Sequence, residues 1–248
     1  MYRHRRIEMR WFRMVTVSLF KMSEVPEKLD IIYRVDGEIV GDCKFQVKQS
    51  EYDDEELEFE VFYEEDLETG MRRIFSNEAE EIAEYLKEKG KEKIQRKVTC
   101  FVNRTTKTVE IYRGSDFVTA RIKEAIQKLM KVNLEQINLN SQQLLMIANQ
   151  NSEEVKQAMF KYINGLWYQI LRGNRLESNQ KYLEYLSVKP NSLRMVSVIP
   201  KINWANGSKY MVTFNGDRGT IKMGDGTYRW KPRKEIKQFV DLMLGVVS

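Results

Sequence analysis

The sequence predicts an α+β fold in which an antiparallel β-meander precedes two hairpin-plus-helix units around a central helical segment. Three observations indicate this class. Apolar and polar residues alternate along the first third of the chain, which is the period of a strand. Later segments carry apolar residues three and four positions apart, which is the period of a helix. Two stretches, residues 98–130 and 210–244, share the order strand, polar turn, strand, loop and helix.

Residues 1–75 are expected to form the meander, with an acidic last strand. Alternation predicts four strands, at Trp11–Phe20, Leu29–Val35, Ile39–Val47 and Leu57–Tyr63. Between the second and third strands, Asp36-Gly37 is a strong two-residue hairpin signal. Glu56, Glu58 and Glu60 alternate with apolar residues, so period two places these carboxylates on one face of the last strand.

Residues 76–132 are expected to form a helix-hairpin-helix unit. Asn77 and Glu80 are a capping pair at the start of a helix that ends near Gly90. Two strands are predicted, at Val98–Val102 and Thr108–Tyr112. Asp116 then caps a second helix, whose apolar stripe is expected to face the core.

Residues 133–248 are expected to contain central helices and a C-terminal hairpin-plus-helix unit. Ser141 begins a short predicted helix, and Ser152 begins a longer one that ends at Gly173-Asn174. The apolar stripe of the longer helix is interpreted as core and consists of Val155, Met159, Ile163, Leu166, Trp167, Ile170 and Leu171. Three strands follow, at Arg194–Ile199, Tyr210–Phe214 and Thr220–Met223. A final helix is predicted after Pro232.

The two matching stretches suggest a structural duplication. Each helix would cover one face of its hairpin and leave the other face available for a ligand. This arrangement resembles the layout of TATA-binding-protein-like saddles, without a shared sequence motif.

Composition is typical of a folded protein, with 42% hydrophobic and 31% charged residues. Cys43 and Cys100 are far apart and form no CxxC pair, so we expect a reducing, cytoplasmic environment. No apolar run approaches the ~20 residues of a membrane span, so no membrane association is expected. Abundant Glu, Lys and Arg are typical of thermophilic proteins, and in style the chain resembles orphan proteins of hyperthermophilic archaea.

The charge is distributed unevenly along the chain. The formal net charge is +5, but Glu51–Glu68 contains eleven acidic residues and no basic one. The rest of the chain has 41 basic residues against 25 acidic ones, a balance of +16. A basic body favours nucleic acid or another polyanion. The acidic segment, residues 51–68, favours a protein partner or a homodimer.

No catalytic, cofactor or metal constellation is evident, so a non-enzymatic protein without a cofactor is expected. His4 is the single histidine, and no phosphate-binding glycine loop occurs. One alternative remains open. The stretch LDIIYRVDGEIVGDCKFQVKQ resembles the core hairpin of PD-(D/E)xK nucleases, especially their QxK branch. This resemblance implies Mg²⁺ held by Asp30 and Gln46, with Lys48 positioning the attacking water.

The function expected from these patterns is nucleic-acid binding, with DNA preferred to RNA, through basic sheet and loop surfaces that also contain aromatic residues. Cations neutralise phosphates, and neighbouring aromatic rings can stack on bases. The predicted contact residues are Arg3, Arg5, Arg6, Arg10, Arg104, Lys107, Arg113, Arg218, Lys222, Tyr228, Arg229, Trp230, Lys231, Arg233 and Lys234. The alternatives are a protein–protein interaction component or homo-oligomeric adaptor, and the nuclease.

Overall fold

A computed structural model describes residues 15–75, 78–112, 115–204, 207–224 and 232–245. The predicted α+β class is confirmed. The chain divides into two compact units. We call Phe20–Glu135 the inserted unit, and we call Met1–Leu19 together with Gln136–Ser248 the flanking unit.

The described residues form twelve strands and seven helices. The strands are β1 Val15–Met22, β2 Ile39–Val40, β3 Cys43–Gln49, β4 Glu56–Asp66, β5 Lys93–Asn103, β6 Thr108–Tyr112, β7 Leu134–Gln136, β8 Ser152–Ile163, β9 Leu166–Arg172, β10 Leu193–Pro200, β11 Val212–Asn215 and β12 Thr220–Met223. The helices are α1 Lys28–Val35, α2 Leu67–Phe75, α3 Ala79–Glu88, α4 Asp116–Met130, α5 Ser141–Gln150, α6 Gln180–Val188 and α7 Arg233–Gly245. None of these helices has the length and apolar character that crossing a membrane requires.

In the inserted unit, strands β2 to β6 form an antiparallel meander in chain order. Phe45 of β3 and Phe59 of β4 lie on its apolar face, with their rings edge to face and their centroids 6.5 Å apart. Helices α1 and α4 contribute Ile31, Val35 and Ile122 to the same buried cluster. This face therefore forms the core of the unit.

The prediction of a strand at Leu29–Val35 is wrong, because this segment is helix α1. Its β-branched residues are typical of a strand. The buried residues, Ile31 and Val35, are nevertheless four positions apart, while Tyr33 is 88% exposed. Asp36-Gly37 consequently joins a helix to a strand, and the Asp36 carboxylate accepts a hydrogen bond from the Val47 N–H at 2.8 Å.

Helix α2 was not predicted, whereas the helix that follows it is confirmed as α3. Leu67 and Met71 of α2 pack against Ala79 and Ala83 of α3 in a small separate cluster. The run of acidic residues extends into the first turn of α2 at Glu68. Carboxylates are favourable at that end of a helix, so the acidic pattern is compatible with both the strand and the helix that follows it.

In the flanking unit, the strand order is β1, β12, β11, β10, β8 and β9. One cross-strand row runs Val17, Ile221, Phe214, Val196 and Ala158, and every member is fully buried. Helix α6 packs on the side of the sheet that carries these residues. The rings of Tyr182 and Tyr185 lie with their centroids 5.9 and 5.3 Å from that of Phe160.

The long helix predicted from Ser152 is wrong, because the segment forms the β8–β9 hairpin. Asn164 and Gly165 both have positive φ, at 50° and 74°, as a two-residue hairpin turn requires. The register of β8 against β10 shifts at irregularities. The buried residues Val155, Ala158 and Phe160 are therefore spaced by three and then two positions. This mixed spacing resembles the three- and four-residue spacing of a helical apolar stripe, which explains the wrong prediction.

The C-terminal hairpin and final helix are confirmed as β11, β12 and α7. Phe239 of α7 contacts the rings of Trp204 and Tyr210. Each unit thus contains a hairpin followed by a helix, β5–β6–α4 in one and β11–β12–α7 in the other. The saddle-like layout stays a prediction.

Candidate functional site

The two units of the fold differ in the sign of their formal net charge. The inserted unit contains 20 basic and 27 acidic residues, a balance of −7, whereas the flanking unit contains 21 and 9, a balance of +12. Fields of one sign concentrate ligands of the opposite sign. The surplus of positive charge therefore belongs to the flanking unit.

The acidic strand β4 lies between β3 and β5, where lysines neutralise it. The Glu60 carboxylate is 8% exposed and lies 2.9 Å from Lys48 Nζ and 2.7 Å from Lys97 Nζ. Burial by itself raises the pKa of Glu60, but the hydrogen bonds and charges of Lys97 and Lys48 outweigh burial and hold this pKa below its ordinary value. Glu60 is therefore ionised at neutral pH.

The same compensation extends over the basic first half of β5. Glu64 pairs with Lys93 at 2.8 Å, and Glu65 pairs with Arg96 at 3.2 Å. Arg104 is also neutralised, because its guanidinium lies 2.5 Å from a Glu55 oxygen and 3.2 Å from a Glu27 oxygen. These cations are engaged within the chain. The acidic segment, in turn, has fewer unneutralised carboxylates to offer a basic partner.

The three residues of the nuclease alternative are not brought together. Asp30 lies on α1, which packs against the core face of the sheet through Ile31, and its carboxylate pairs with Arg34 at 3.6 Å. Gln46 and Lys48 point to the opposite face, because they alternate with the buried Phe45 along β3. The two-strand layout that the resemblance implies is not formed, since its first strand is a helix. Within the described ranges, no group of three His, Cys, Asp or Glu side chains is placed to hold a metal ion.

Most predicted nucleic-acid contacts lie outside the described residues. These are Arg3, Arg5, Arg6, Arg10, Arg113, Tyr228, Arg229, Trp230 and Lys231. Of the others, Lys107 is exposed in the β5–β6 turn of the inserted unit. Arg218, Lys222 and Lys234 are exposed in the flanking unit, whereas Arg233 is buried at the start of α7.

The second face of the flanking sheet is polar, and the strand register defines it. One row pairs Arg172, Gln157, Ser197, Thr213 and Lys222 across five strands. These residues alternate with the buried apolar row, so they lie on the opposite face. Arg172 and Lys222 are exposed at the two ends of the row, four strand spacings or roughly 19 Å apart at the backbone.

Two further cations belong to this face. Lys161 lies on the same side of β8 as Gln157 and Met159, because every second residue of the strand faces that side. Arg194 lies close to it on the neighbouring strand β10. Both contact Asp217 in the β11–β12 turn, at 2.5 Å from Lys161 and 3.6 Å from Arg194. We call Lys161, Arg172, Arg194 and Lys222 the cationic sheet face. Two of its four cations, Lys161 and Arg194, share one carboxylate, that of Asp217.

The next carboxylate along β8 is compensated locally. Glu154 lies 2.7 Å from Lys156 Nζ and also accepts a hydrogen bond from the backbone N–H of Arg175. The hydrogen bond from Lys156 holds the pKa of Glu154 below its ordinary value. The positive field of the cationic sheet face is thus not offset by this group.

Exposed apolar side chains lie on both sides of the β8–β9 hairpin: Tyr168 and Ile170 on the side of Lys161, and Trp167 on the opposite side, which Phe160 shares. We call Tyr162, Leu166, Trp167, Tyr168 and Ile170 the aromatic strip. Trp167 is 76% exposed and Tyr168 is 61% exposed. The sequence interpretation placed Trp167 in a buried helical stripe and so missed this feature. The Asn164-Gly165 pair was the signal that could have found it.

No protein-family model matches the chain, and no curated protein matches its sequence.

Proposed function

We propose that the chain is a non-enzymatic nucleic-acid-binding protein that contacts the phosphate backbone through the cationic sheet face, with DNA as the expected partner. The observation that carries this proposal is the cross-strand register, which aligns cations from separate parts of the sequence on one side of one sheet. The +12 balance of the flanking unit supports it.

The physical basis is counterion release. A nucleic acid carries condensed cations, and each phosphate neutralised by lysine or arginine releases them into solution. The cations spread over roughly 19 Å of sheet, which spans several consecutive phosphates. Gln157 and Thr213, which lie between Arg172 and Lys222, add polar groups able to hydrogen-bond to phosphate or sugar. Such contacts position the strand without reading its sequence.

The test is a polarisation titration of the full chain with fluorescein-labelled random-sequence duplex and single-strand DNA, at about 50 and 200 mM salt. We expect binding that weakens steeply with salt. Lys222→Glu should weaken binding at low salt and reduce the slope of log affinity against log salt by about one. The matched control is Lys44→Glu, because Lys44 is also an exposed strand lysine but lies on β3 of the inserted unit.

Absence of binding to both probes at low salt would refute the proposal. Equal losses in Lys222→Glu and Lys44→Glu would refute the assignment of the surface, because they would indicate a response to net charge alone.

A further inference from the structure

We infer that the aromatic strip is a stacking platform for unpaired bases, so that the ligand of the cationic sheet face is single-stranded nucleic acid. This inference rests on the proposed function and adds the substrate class to it. It stands on a separate observation, the exposure of aromatic rings on a sheet edge.

The strip lies at the edge of the flanking sheet. Within the described part of the chain, β9 pairs with β8 alone. Exposed edge strands are commonly protected by charged side chains, since unpaired edges invite association. Here the residues from Leu166 to Tyr168 are all apolar or aromatic, and all are exposed. A surface of this kind indicates a binding site rather than a protected edge.

The rings lie on the two sides of the edge hairpin, and each side has a lysine able to hold a phosphate. Tyr168 is the cross-strand partner of Lys161, which belongs to the cationic sheet face. On the opposite side of the hairpin, the Trp167 ring lies beside that of Tyr162, with centroids 5.6 Å apart and planes inclined at 53°. Trp167 is 76% exposed, so part of its ring remains open to a base. Lys189 Nζ lies 5.8 Å from the centroid of the Tyr162 ring and adds a cation beside it.

The charge of the hairpin indicates the chemical class of the ligand that binds the aromatic strip. The hairpin and its flanks, residues 156–175, contain two lysines, two arginines and no acidic residue. A ligand with a negative backbone and flat apolar faces matches both properties. In a duplex the bases stack on one another and present only their edges in the grooves, whereas a single strand can place its bases on protein rings. The combination therefore favours a single strand over a duplex.

The experiment compares a fluorescein-labelled single strand of about 12 nucleotides with its own duplex, a length within the range that such sites cover. We expect wild-type protein to bind the single strand more tightly. Trp167→Ala and Tyr168→Ala should each weaken single-strand binding by roughly fivefold to a hundredfold, the range for loss of one stacked base. Neither should change duplex binding.

Two matched controls accompany these variants. Trp167→Phe keeps a ring and should retain most of the affinity. Tyr33→Ala removes an equally exposed ring from α1 of the inserted unit and should change nothing. Because the substituted side chains are exposed, far-ultraviolet circular dichroism should show the same fold for all variants.

The outcomes separate this inference from the proposed function. Equal affinity for duplex and single strand, with binding lost in Lys222→Glu but kept in Trp167→Ala, overturns the single-strand inference and retains the proposed function. No binding of either probe overturns both. If light scattering shows self-association that Trp167→Ala abolishes, and stacking variants do not affect nucleic-acid binding, the strip is a contact between copies of this chain and the inference is wrong.

Discussion

Replacing Glu60 by glutamine tests whether ion pairs with lysines of β3 and β5 stabilise the acidic strand β4. The substitution keeps the size of the side chain but removes the charge that two lysines share, at 2.9 and 2.7 Å. A hydrogen bond to a charged group contributes about 1.5–3 kcal/mol, and a pair whose cations can return to water contributes less. Lys48 is half-exposed and can be rehydrated. We therefore expect a loss of about 2 kcal/mol in the free energy of unfolding, or about 1 M in urea midpoint.

The assay is urea denaturation followed by circular dichroism, because all four tryptophans belong to the flanking unit and fluorescence would not report on β4. The effect also has a defined pH dependence. The pKa of Glu60 is held below its ordinary value of 4.5, so its stabilisation is complete above that value. As pH falls through the lowered pKa, the carboxyl is protonated and the wild type should converge on the variant.

The matched control is Glu64→Gln on the same strand. Glu64 also pairs with a lysine, at 2.8 Å, but both partners are exposed, so its loss should be much smaller. Equal effects of the two substitutions, or a difference between wild type and Glu60→Gln that does not shrink as the pH is lowered, would refute the account of a buried, neutralised carboxylate.

Three further predictions concern stability and reactivity. Gly219→Ala should destabilise the protein by about 2–4 kcal/mol in thermal unfolding, because a Cβ there would lie 2.2 Å from the Ile137 carbonyl oxygen and φ is +53°. Gly41→Ala, where φ is +63° and the space is open, should cost about 1 kcal/mol. Asn140→Ala removes the N-cap of α5 and should cost about 1 kcal/mol in urea, with Asn140→Asp close to wild type. Burial raises the pKa of the Cys43 and Cys100 thiols, so neither should react with a thiol reagent at pH 8 until the protein is unfolded.

The elements with regular periods were predictable from sequence, and those with irregular periods were not. In α4, Ile122, Ala125 and Ile126 repeat at helical spacing without interruption. In β8 the irregular register mixes spacings of two and three, so a strand was taken for a helix. In α1 the opposite error arose, because β-branched composition outweighed the four-residue spacing of Ile31 and Val35.

The candidate site was predictable only in its composition. Lys222 was among the predicted contacts, but Arg172 fell within the helix predicted from Ser152, and Lys161 and Arg194 were not singled out. Their alignment depends on which strands are neighbours and in what register, and local sequence does not encode long-range register. Likewise, the carboxylates that pair with Lys93 and Arg96 lie on β4, about thirty residues away, so local sequence does not reveal these pairs.

Lysine footprinting in the presence of single-stranded DNA tests most directly whether the flanking sheet carries the nucleic-acid surface. The full chain is acetylated briefly with and without an oligonucleotide, and modified lysines are quantified by mass spectrometry. We expect Lys161 and Lys222 to be protected, while the exposed Lys44 and Lys131 of the inserted unit remain as reactive as before. Protection confined to the inserted unit, or equal at all four lysines, would contradict the assignment.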